Sequence, residues 1–135
     1  MAGYSQTALI QKLGLKFGYS VLLFGEPKEY FDWLSPLPSD IQIIKRPQME
    51  SIDFAHIFVK EQKVFGAQFL RAKKCLKKEG SLWISWPKKS SKVGTDLAEN
   101  VIRNFGLANG LVDVKVCAVS EIWSWLKFMY RLKDR

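Results

Sequence analysis

Histidine and cysteine are nearly absent from this chain: His56 stands alone, and Cys75 and Cys117 are the only thiols. One imidazole and two distant thiols cannot assemble a tetrahedral His/Cys zinc set, and no metal is expected. A disulfide framework is excluded on the same count, and the two thiols read as buried, reduced core residues. No apolar run approaches the roughly 20 residues that span a bilayer. The opening MAGYSQTALIQKLG has neither the charged start nor the apolar core of a secretory signal. A cytoplasmic protein without a membrane role is expected. Low-complexity tracts and internal repeats are also missing, so residues 1–135 read as a single domain.

What the chain has in excess is positive charge. Twenty-one Lys and Arg stand against thirteen Asp and Glu, a formal charge of +8. That balance favours anionic partners, whether small phosphate-bearing molecules or nucleic acid. Scattered lysines that merely keep a protein soluble are the alternative, and position along the chain has to decide.

The stretch SLWISWPKKSSKVGTD, Ser81–Asp96, organises the rest. In a strand, Leu82, Ile84 and Trp86 point one way and Trp83 and Ser85 the other. A strand apolar on both sides belongs in a covered, mostly parallel sheet. Pro87 takes the chain out of the ladder. Lys88, Lys89, Ser90, Ser91 and Lys92 then fall at the strand's carboxyl end, where open α/β sheets bind ligands.

Taken in order, Ser5 suits the N-cap of a helix over Gln6–Leu13, which Gly14 ends. Tyr19–Phe24 is a strand closed by Gly25, and Glu26-Pro27 leads into a helix over Lys28–Leu34 with Tyr30, Phe31 and Leu34 at helical spacing. Ile41–Ile44 is a second strand ending at Lys45-Arg46, and Phe54–Val59 a third, followed by Lys60. Glu61–Lys78 reads as a helix with Phe65, Phe69, Ala72 and Leu76 on one stripe and Gly80 as terminator. Lys73, Lys74, Lys77 and Lys78 would crowd its negative end. Beyond the Ser81–Trp86 strand, Asp96 and Glu99 have capping-box spacing for a helix with Leu97, Val101, Ile102 and Phe105 on its apolar face. Val114–Val119 and Trp125–Leu132 are strands joined tightly enough for an antiparallel pair. Alternating β and α units imply an α/β, three-layer Rossmann-like architecture with parallel strands and a closing antiparallel hairpin.

Here a resemblance enters. LGLKFGYSVLLFG looks like the lead-in and first strand of the class I methyltransferases, and VKVCAVSEIWSWLKFMYRL looks like their last strand pair. MAGYSQTALIQKLGLKFGYSVLLFG, WISWPKKSSKVGTDL and GLVDVKVCAVSEIWSWLKF together resemble a bacterial family designated a domain of unknown function, nearly end to end. The resemblance implies a reduced methyltransferase sheet with strand order second, first, third, fourth, sixth, fifth. A strand and helix of the full superfamily would be missing between Ile44 and Asp53.

S-adenosylmethionine chemistry in that fold calls for a glycine-rich turn after the first strand and an acid ending the second. Gly25 is a single glycine, and Lys45-Arg46 carry the wrong sign for a ribose diol. Binding of that cofactor is therefore not expected. His56, flanked by apolar neighbours, reads as a core residue, and Ser90 and Ser91 lack a nucleophile elbow. What remains is a basic crown. Lys45, Arg46, Lys60, Lys88, Lys89 and Lys92 would converge at the carboxyl ends of successive strands, with Gly25, Glu26 and Trp86 beside them. Ser90, Ser91 and Thr95 would add hydroxyl donors. The expected function is a non-catalytic binding module for an anionic ligand, a small molecule or nucleic acid. The alternative is a divergent small methyltransferase or other transferase using the same crevice. A third reading is a protein-interaction subunit in which Trp123 and Trp125 of the last hairpin meet a partner.

Overall fold

The computed structural model describes residues 6–118, 120 and 122–135. Ser5, expected to cap the first helix, lies outside them, as does Val119 at the end of an expected strand. The elements are α1 (Gln6–Leu13), β1 (Ser20–Phe24), α2 (Tyr30–Leu34), β2 (Gln42–Ile43), β3 (Ile52–Phe58), α3 (Gln62–Cys75), β4 (Leu76–Pro87), α4 (Glu99–Ala108), β5 (Leu111–Ala118) and β6 (Trp123–Tyr130). The six strands form one sheet in the order β2-β1-β3-β4-β6-β5. β2, β1, β3 and β4 run parallel, and β6 returns antiparallel to both β4 and β5. The order is the one the resemblance implies, and the terminal hairpin the one that the short link between the last two strands predicts.

Strand parity divides the core into two layers. On one side Leu82, Ile84 and Trp86 of β4 meet Phe65 and Phe69 of α3 and Ile102 of α4. On the other, Trp83 meets Leu9 and Leu13 of α1, Tyr30 and Leu34 of α2, and Trp125 of β6. β4 is thus covered on both faces, as its composition requires. Cys75 belongs to the first layer and Cys117 to the second, both buried and free, so the sheet itself keeps the thiols apart.

Three expectations are corrected. The third helix stops at Cys75, and Leu76 already pairs with Ile52 as part of β4. Gly80 is therefore not a helix terminator but a close-approach residue in a strand, where a Cβ would lie 3.0 Å from the Ile52 carbonyl oxygen. Lys73 and Lys74 stay in the last helical turn. Lys77 and Lys78 lie on β4, Lys77 bonded to Asp53 at 2.9 Å and Lys78 4.4 Å over the Tyr130 ring. The fourth helix opens at Glu99 with Ala98 at its N-cap, and Asp96 does not cap it. Phe31 is exposed although its neighbours Tyr30 and Leu34 are buried, because a five-residue helix offers only one narrow stripe to the sheet. α2 begins at Tyr30, two residues later than expected, and the ends of β3, β5 and β6 differ from the expected ones by one to three residues.

Candidate functional site

The strand order reverses between β1 and β3, and the crevice outside their carboxyl ends is where such sheets seat ligands. An open cleft of about 400 Å³ lies there, lined by Gly25, Pro27, Phe58, Val59, Lys60, Glu61, Val64 and Trp123. Trp123 meets Phe58 edge-on, 5.0 Å between centroids at 89°. Phe58 in turn stacks on His56 at 4.3 Å and contacts Tyr30 and Trp125. The aromatic wall of the cleft is therefore the outer end of a packed aromatic cluster, which holds it rigid.

Of the residues singled out in the sequence, Gly25 and Lys60 line this cleft, and Glu26 sits exposed between its lining residues Gly25 and Pro27. Gly25 has φ +65°, and a Cβ there would fall 2.5 Å from the Phe58 carbonyl oxygen. The missing side chain thus makes room for β3, not for a ligand. Lys45 and Arg46 are exposed beyond the edge strand β2 and do not line the cleft. Trp86 is 5% exposed and packs in the α3/α4 layer, so it is a core residue. Trp125 is fully buried, whereas Trp123 is half-buried and reaches the cleft.

The loop after β4 is built differently from the hydroxyl-rich anion cradle its composition suggests. The backbone N–H of Lys88 donates to Ile122 O at 2.7 Å, and a 3₁₀ turn follows over Lys89–Ser91. Ser91 Oγ donates to Lys88 O and accepts from Val93 N, while Lys92 turns the chain at φ +62°. Thr95 Oγ1 donates to Lys60 O at 2.6 Å and accepts from Leu97 N. Asp96 Oδ1 accepts the backbone N–H of Gln62 at 2.8 Å, and Gln62 Nε2 donates back to Asp96 O at 2.7 Å. Two of the three expected hydroxyls are thus committed within the protein. The N-terminus of α3 is already occupied by the chain's own carboxylate, the partner its partial positive charge favours. Ser90 stays exposed beside Lys89 and Lys92, with Lys88 half-buried. Among the described residues the ion pairs involve Glu61 with Lys63, Asp53 with Lys77, and Arg103 with Glu99 and Asp113. None of them neutralises Lys45, Arg46, Lys60, Lys88, Lys89 or Lys92.

Beneath the cleft lies a polar trio invisible in the sequence. Tyr30 Oη is 2.9 Å from His56 Nδ1, and His56 Nε2 is 2.6 Å from Ser85 Oγ. All three are sealed from solvent. Burial holds the imidazole pKa well below its usual value and, with the charge of Glu26, raises that of the phenol. A neutral His56 satisfies both neighbours, donating from one nitrogen and accepting at the other. Buried and bonded to one another, the three side chains tie α2, β3 and β4 together in the core. Among the described residues no three His, Cys, Asp or Glu side chains gather as a metal set, and no helix is long and apolar enough to cross a membrane.

Sequence reasoning missed Pro27, Phe58, Val59, Glu61 and Val64 as cleft residues. Each comes from a strand end or a helix start, and nothing in its own neighbourhood marks it.

No family model matches the chain, and no curated protein matches it. Solved structures do. A SAM-dependent methyltransferase from Aquifex aeolicus is 14% identical, with a TM-score of 0.63 over 95% of this chain and 90% of that one. The B. subtilis M1A22 tRNA methyltransferase TrmK is 10% identical, with a TM-score of 0.58 over 93% of this chain and 65% of that one. The tRNA (m1A58) methyltransferase TrmI from Aquifex aeolicus is 14% identical, with a TM-score of 0.56 over 91% and 66%. The fold is that of the class I methyltransferases. The residues present do not fit S-adenosylmethionine. The space left by Gly25 is taken by the Phe58 carbonyl, and β2 leads into the cations Lys45 and Arg46, where a ribose diol needs an acceptor.

Proposed function

We propose that this chain is a non-catalytic binding module for an anionic, phosphate-bearing ligand at the carboxyl edge of its sheet. The observation that carries this reading is the cleft itself. An aromatic wall, Phe58 and Trp123, stands beside the exposed ammonium of Lys60, for which the described residues provide no ion pair. A planar ring against Trp123 with its phosphate toward Lys60 and the loop cations Lys88, Lys89 and Lys92 uses both features. A nucleotide is the simplest molecule with both parts. The proposal includes a cytoplasmic location and kinship with the bacterial family that the WPKK…TDL stretch resembles.

Titration of nucleoside mono- and triphosphates into the protein, read by tryptophan fluorescence, tests it. Micromolar binding is expected, lost in Trp123→Ala and weakened roughly tenfold in Lys60→Ala, the worth of one charge-assisted contact. Binding unaffected by both changes would remove the cleft from consideration. The second reading, a divergent transferase in the same crevice, is favoured by the likeness of fold alone. It would displace the first if a bound nucleotide or cofactor were consumed in the presence of the protein.

A further inference from the structure

A second group of cations lies toward the other end of β6, with no acid among them. Lys127 and Lys115 are directly opposed in the antiparallel β5–β6 ladder, a placement in which like charges repel. The Lys127 ammonium sits 5.9 Å over the Trp83 ring and against Gly14 at the end of α1, with Lys16 two residues further on. Arg135 approaches from the 3₁₀ turn after β6, its Nε donating to Tyr130 O and one Nη donating to Met129 Sδ. Lys127 is half-buried, and burial together with Lys115, Lys16 and Arg135 pulls its pKa below the usual value. Among the described residues no ion pair reaches any of the four.

We propose that Lys16, Lys115, Lys127 and Arg135 form a phosphate-binding site between the end of α1 and the β5–β6 hairpin, separate from the cleft. Trp123 and Lys127 share a face of β6, but the four residue steps from one to the other span about 13 Å. A polar side chain put half out of water beside three like charges costs stability unless an anion completes it. The Trp83 indole forms the floor and is itself anchored, its Nε1–H donating to Leu13 O at 3.2 Å. Lys127, Lys115, Lys16 and the free edge of the Arg135 guanidinium supply enough donors to surround one tetrahedral oxyanion.

The test is calorimetry and thermal melting with two probes, tripolyphosphate and a ten-residue oligothymidylate, on the wild-type chain and two variants of equal net charge. Lys115→Ala/Lys127→Met removes the site but leaves an apolar stem over Trp83. Arg71→Ala/Lys74→Ala removes two exposed charges from α3, across the sheet. Tripolyphosphate is expected to bind the wild type and raise its melting temperature, with binding at least tenfold weaker in the site variant and within twofold in the α3 variant. The same pattern seen only with the oligonucleotide assigns the site to a phosphodiester backbone in place of a free phosphate. Equal losses in both variants would reduce the effect to net charge and overturn the proposal, as would no binding of either probe. Should the site variant fail to fold, the Lys127 ammonium resonance of the wild type decides, since it must move on adding the bound probe. An unmoved resonance overturns the site.

Discussion

His56 of β3 reaches diagonally across the sheet to Ser85 of β4, Nε2 to Oγ at 2.6 Å, although its direct ladder partner is Trp83. The bond ties the two central strands together by side chains just beneath the cleft, and Tyr30 Oη closes it from the α2 side. A polar bridge of this kind, wholly inside an aromatic layer, holds only while the imidazole is neutral.

That condition makes stability depend on pH with a definite sign. In the unfolded chain the imidazole titrates near about 6.5, and burial holds the folded pKa well below that. Above the unfolded pKa neither state is protonated and the contribution of His56 is complete. As pH falls below it, the unfolded chain takes up a proton that the folded chain refuses, and stability drops by up to about 1.4 kcal/mol per pH unit. Urea melts at pH 7.5, 6.0 and 5.0 should record this drop. His56→Gln should flatten it while lowering stability throughout.

Trp83 is fully buried between α1 and the sheet. Its replacement by alanine should destabilise the fold by about 3–5 kcal/mol, the range for a large aromatic removed from a packed core. A loss below about 0.5 kcal/mol by chemical denaturation, the size of a surface effect, would contradict the placement of β4 at the centre.

Asp96 caps α3 from a loop 34 residues away. Asp96→Ala should cost about 0.5–2 kcal/mol, with Asp96→Asn retaining most of it. Hydrogen exchange should localise the change to the first turn of α3. If protection is lost at Glu99–Ala108 instead, the side chain serves α4 after all.

S-adenosylmethionine should not bind below millimolar concentration, because neither the turn at Gly25 nor the end of β2 offers what it needs. Calorimetry that finds micromolar affinity, about −8 kcal/mol, would restore the methyltransferase reading.

Local pattern determined much of this molecule. The alternation in SLWISWP placed Leu82, Ile84 and Trp86 on one face and Trp83 on the other. The β–α alternation then dictated parallel strands, and the short link between the last two strands an antiparallel hairpin, because side-chain period, crossover handedness and loop length are local constraints. The same local view misled where a residue's partner is distant. Asp96 and Glu99 have capping-box spacing, yet Asp96 reaches Gln62 because the β4–α4 loop folds over the start of α3. Gly80 resembles a helix stop, yet Leu76 finds Ile52 and the chain enters the sheet four residues earlier. The cleft between Gly25 and Trp123, the His56–Ser85 bridge and the cations around Lys127 all join segments tens of residues apart. Only the tertiary fold sets those distances, because hydrogen bonds and charges act over a few Å of space, whatever the separation along the chain.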